Sequence, residues 1–98
     1  MQPITFEQFE SIVIQLIESA NEEFQGTIER ATENKRDWGF VNFHAEIKTN
    51  ELNGLKSFIF QLYLKCILEK SEYDGLAEKI EKVRDALFKQ SMDYRQPL

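Results

Sequence analysis

Cysteine and histidine each occur once in the 98 residues, as Cys66 and His44. A lone thiol closes no disulfide within the chain, and one thiol with one imidazole cannot assemble a zinc site, so no metal and no cofactor is expected. Glycine is scarce too: Gly26, Gly39, Gly54 and Gly75 stand singly and build no phosphate-cradling loop. No run approaches the roughly 18 apolar residues of a membrane-spanning helix, and Met1 to Thr5 lacks the charged start and apolar stretch of a secretory leader. The expected location is therefore the cytoplasm. The scarcest feature is positive charge in the first third. Between Met1 and Asn34 only Arg30 opposes seven Glu, a net of −6 that leaves +1 for the remainder and −5 overall. A field of that sign repels phosphates, which argues against direct nucleic-acid binding, and favours encounter with a basic protein.

What the sequence does contain is a long apolar stretch, Val41 to Cys66, with Asn53-Gly54 inside it. Asn-Gly supplies the two φ > 0 residues of a type I′ turn, a strong hairpin signal between alternating apolar residues. Folded there, Val41, Phe43, Ala45 and Ile47 face Cys66, Leu64, Leu62 and Phe60 on one oily side. His44, Glu46, Ile59, Gln61 and Tyr63 fall on the other. One register satisfies both arms, and the aromatic and β-branched content of Phe58 to Leu64 suits a strand. A helical reading competes in the second arm, where Leu55, Ile59, Leu62 and Cys66 make a stripe at spacings of three and four.

Helices flank this stretch. Thr5 and Gln8 have the spacing of a capping box, with Ile4 and Phe9 placed as a hydrophobic staple, so a helix is expected from Phe6. Phe6, Phe9, Val13, Leu16, Ile17, Ala20, Phe24 and Ile28 form its apolar stripe. Gly26 is a point where it can kink. Asn34 to Gly39 reads as a connector, with Asn34 and Gly39 as turn residues and Trp38 plugging the end of the core. A last helix is expected after Ser71 as cap, with Tyr73, Leu76, Ala77, Ile80, Val83, Ala86 or Leu87, and Tyr94 as its stripe. Arg95 to Leu98 reads as a tail.

The expected architecture is an α+β domain over residues 1–98: helix, strand, strand, helix, with both helices on one face of a long antiparallel β-hairpin. An all-α bundle of three or four helices is the alternative. A two-stranded ribbon has two open edges, so a homodimer is expected, by edge pairing or through the second faces. His44, Glu46, Ile59, Gln61 and Tyr63 are its candidate contacts.

Function reads from charge more than from any motif. Glu18 with Glu22, and Glu29 with Glu33, are like-charged i,i+4 pairs on the first helix, an arrangement that disfavours the helix slightly. These four residues are the candidate partner-binding set. The expectation is a small non-enzymatic protein-binding regulator of adaptor, inhibitor or immunity type, offering an acidic helix to a basic partner. A different class of reading makes the chain an enzyme subunit, with His44, Glu46 and Tyr63 sharing a proton-transfer site at a dimer interface.

Overall fold

Thr5 opens the first helix as its spacing requires. Its hydroxyl accepts the Gln8 N–H at 3.1 Å, and the Gln8 side-chain oxygen accepts the Thr5 N–H at 2.9 Å. In the computed structural model, which describes residues 4–95, helix α1 runs Phe6–Glu33, α2 runs Trp38–Leu64 and α3 runs Lys70–Arg95. Residues 96–98 of the expected tail lie outside the described residues; Arg95 closes α3. Helix α1 continues through Gly26 to Glu33 and buries Val13, Ile17, Ala20, Phe24, Thr27 and Ala31.

The expected α+β hairpin does not form. Among the described residues there is no strand, and Asn53-Gly54 lies mid-way along α2. The alternation that suggested a strand has a helical cause. Val41 and Ala45 are buried in the core, whereas Phe43 and Ile47 are exposed on another side of the same helix. Two stripes of period 3.6 on different sides of one helix, read together along the sequence, mimic a period of two. With no strands there are no sheet edges, so the edge-pairing argument for a dimer falls with them.

The turns sit elsewhere. Both interior helix ends are closed by Schellman motifs: Arg36 N–H donates to Ala31 O at 2.8 Å and Lys35 N–H to Thr32 O, then Ile67 N–H donates to Leu62 O at 2.9 Å and Cys66 N–H to Tyr63 O. The left-handed residues are Lys35 (φ 53°) and Cys66 (φ 61°), not Asn34, Gly39 or Gly54. Cys66 is consequently exposed at a helix end instead of lying in the core. Asp37 caps α2 by accepting the Phe40 N–H at 3.0 Å. Glu69, not Ser71, precedes the first turn of α3, and its N–H is taken by the Glu72 carboxylate at 2.9 Å.

Short connections make the helices run up, down and up. Glu10 of α1 meets Lys79 of α3, and Gln25 meets Gln90, so α1 and α3 are parallel. Lys56 and Asn53 of α2 meet Glu81 and Arg84 in reversed order, so α2 and α3 are antiparallel. The Lys56 ammonium holds the Glu81 carboxyl below the usual carboxylate range. The common core gathers Phe24, Val41, Leu52, Ile59, Leu76, Ile80 and Leu87, all essentially fully buried. At one end Trp38 Nε1–H donates to Ser91 O at 3.0 Å and the Tyr94 hydroxyl donates to Arg36 O at 2.6 Å, tying the α1–α2 turn to α3.

Ser91 itself is buried, and its hydroxyl has no hydrogen-bond partner among the described residues. A buried hydroxyl without a partner costs free energy that a methyl group does not. Ser91→Ala is expected to raise the unfolding free energy by about 1 kcal/mol in urea titration. A loss of similar size would show that the hydroxyl is satisfied in solution.

Candidate protein-interaction faces

Helix geometry gathers the four acidic candidates. Residues at spacings of 4, 7 and 4 lie within about 60° of one another around an α-helix, and Glu18, Glu22, Glu29 and Glu33 are all exposed on the side of α1 facing away from the core. None of the four has an ion-pair partner among the described residues. The glutamates on the flanks of α1 behave differently, Glu10 pairing with Lys79 at 3.4 Å and Glu23 with Lys48. Hydrogen bonding to Glu23 pushes the Lys48 ammonium above its ordinary range, against the desolvation of its burial, and Glu51 adds to the effect. Basic side chains thus neutralise the edges of α1 while its outer row is left uncompensated.

Other lysines are similarly occupied: Lys56 pairs with Glu81, Lys70 with Asp74 at 2.8 Å and Lys82 with Glu78 at 3.2 Å. Of the four lysines between Val41 and Lys70, Lys48, Lys56 and Lys70 are matched by carboxylates.

The second-face set is dispersed by the helix. His44 packs its ring against Phe40 and Phe43, with centroids at 4.7 and 5.6 Å. Tyr63 lies nineteen residues further along α2, about 28 Å away at 1.5 Å per residue, stacked on Tyr73 with centroids 5.6 Å apart. Glu46 is exposed and bonded by Asn42 at 3.4 Å. Gln61 is exposed, but Ile59 is fully buried in the core. The shared face on which these five were grouped does not exist, because residues that alternate in a strand rotate by 100° each in a helix. The surface depressions do not reunite His44, Glu46 and Tyr63. One, at the α1–α2 turn, is lined by Asn34, Lys35, Arg36, Asp37 and Phe40; another, between α2 and α3, by Asn42, Glu46, Asn50 and Phe88. Among the described residues no group of three or more His, Cys, Asp or Glu is placed to hold a metal ion. No helix among them is long and apolar enough to cross a membrane.

A second face went unread in the sequence. Helix α2 is apolar around much of its circumference. Beyond the core stripe, Phe43 (59% exposed), Phe58 (53%) and Ile47 (37%) point outward. The signal was present as spacings of three and four through Phe43, Ile47, Asn50, Gly54 and Phe58, but the even-odd alternation concealed it.

The chain matches no protein-family model, no curated protein and no solved structure.

Proposed function

We propose that this chain is a non-enzymatic protein-binding regulator of the cytoplasm, of adaptor, inhibitor or immunity type, that presents the outer face of α1 to a basic surface on another protein. The observation that carries the reading is the row Glu18, Glu22, Glu29 and Glu33: four exposed carboxylates on one long helix, without ion-pair partners among the described residues, beside flanking glutamates that do have them. A rigid helix fixes the spacing of those charges before binding, so little ordering entropy opposes association, and the field steers a basic partner to the right side. The alternative enzyme reading has no assembled constellation to support it within one chain.

Replacing all four glutamates by lysine is expected to weaken capture of the partner from the source cell by about 100-fold, with the far-UV circular dichroism unchanged. The wild-type interaction should also weaken steeply as salt is raised. Capture that survives the fourfold reversal contradicts the proposal.

A further inference from the structure

Helices α1 and α2 meet along a seam interrupted by two hollows. One, of about 140 Å³, opens between Leu16, Ala20, Glu51, Leu52 and Leu55. The other, of about 340 Å³ and at the end of the bundle, has Ile4, Phe6, Phe9, Leu62, Ile67 and Glu72 in its walls. Each takes a residue from either helix, Leu16 with Leu55 in the first and Phe9 with Leu62 in the second. Phe9 and Leu16 are seven residues apart on α1, and Leu55 and Leu62 are seven apart on α2. The hollows therefore lie about 10.5 Å from one another along the seam. That is the distance between side chains i and i+7 on one face of a docking helix. The smaller hollow is close in size to the ~150 Å³ cavity that admits benzene, so it suits one leucine or phenylalanine side chain. Ile12 and Phe58, which fall between the two positions on their respective helices, are exposed.

Charge selects the occupant. The charged residues lining the hollows, Glu51 and Glu72, are both acidic. One heptad beyond Leu16 on α1, Glu23 shares the single Lys48 ammonium with Glu51, so two carboxylates are met by one cation. Glu22 of the outer acidic row is about 80° round α1 from Ile12 and adds to the same field. A second copy of this chain, at −5, would bring like charge to that rim, whereas a positively charged helix is drawn to it. We infer that the α1–α2 seam receives a basic amphipathic helix of another protein, which seats apolar side chains i and i+7 in the two hollows and turns lysine or arginine towards Glu23 and Glu51. The sign of the partner's charge rests on the acidic-face reading proposed above, whereas its helical form rests on the hollows and their spacing.

The probe is a synthetic helical peptide of about 18 residues, with leucine at i, i+4, i+7 and i+11 and lysine and alanine elsewhere, titrated into the full chain by calorimetry. Saturable binding is expected. Moving the leucine from i+7 to i+5 should weaken it about 10-fold or more, as should Leu16→Glu or Ile67→Glu in the protein. Both residues are exposed, so the circular dichroism should not change. Phe43→Glu and Phe88→Glu, outside the hollows, should leave binding as it was. No saturation by about 1 mM peptide overturns the inference. So does equal binding of the shifted peptide or of one with glutamine for every lysine, or binding that Phe43→Glu removes and Leu16→Glu does not. Binding lost on reversing Glu18, Glu22, Glu29 and Glu33 to lysine, yet kept in Leu16→Glu and Ile67→Glu, leaves the acidic row standing and overturns the seam. Binding lost in those two variants, yet kept in the fourfold reversal, upholds the seam and contradicts the acidic row.

Discussion

Phe24→Ala is expected to lower the unfolding free energy by about 3–5 kcal/mol. The side chain is fully buried and heads the largest of the wholly enclosed residues. Its removal deletes the transfer free energy of an aromatic ring and leaves a cavity that three long packed helices cannot collapse around without breaking their mutual fit. A domain of this size has only about 5–15 kcal/mol in total, so the substitution brings it close to the edge of folding. Urea titration should show the midpoint falling with the slope little changed. Phe88→Ala supplies the control. Phe88 is 58% exposed on α3, and its loss should cost less than about 1 kcal/mol. Equal costs at the two positions would mean that Phe24 is not in the core.

Substitutions at Gly54 should move stability in opposite directions according to residue. Gly54→Pro is expected to destabilise by about 3 kcal/mol or more, since it removes one hydrogen bond of the α2 ladder and drives the ring into the preceding turn. Gly54→Ala should stabilise by about 1 kcal/mol, because the added methyl group fits an ordinary helical φ and restricts the unfolded chain. The structure leaves room for it, with nothing within 4 Å of the added atom. The alanine variant decides between conformations. At the second position of a type I′ turn φ is positive, and alanine there would destabilise.

Local chemistry was legible where side chains act on their own backbone. The Thr5–Gln8 box announced the start of α1, and the apolar spacing from Phe9 to Phe24 correctly marked its core face, although Leu16 is left exposed at its margin. Tyr73, Leu76, Ala77, Ile80 and Leu87 likewise marked α3. The acidic row was legible too, because helical spacing alone places Glu18, Glu22, Glu29 and Glu33 together. The middle of the chain misled for two separable reasons. Its helix is apolar on opposed sides, so Val41 and Ala45 of one stripe interleave with Phe43 and Ile47 of another and produce a strand-like alternation. Its ends also lack the expected punctuation. The left-handed cap positions are filled by Lys35 and Cys66, where side chains are disfavoured by about 1–2 kcal/mol, while the Asn-Gly pair that advertises a turn sits in the α2 interior. Tertiary packing of Leu52 and Ile59 on either side overrides that local preference, as burial of large apolar side chains outweighs a propensity difference of about 1 kcal/mol.

The outward stripe of α2 was hidden by the same interleaving. Once Val41, Ala45, Leu52 and Ile59 are assigned to the core, with Phe40, Leu55 and Leu62 packed against it, Phe43, Ile47 and Phe58 remain exposed on the same helix.

The continuous coil of α2 supports both the core and the dispersal of His44 and Tyr63. Backbone chemical shifts of residues 49–58 in solution test it most directly. Cα shifts displaced downfield through Asn53 and Gly54 without interruption are the expected result. Upfield strand-like shifts on both sides of a break at Asn53-Gly54 would contradict it.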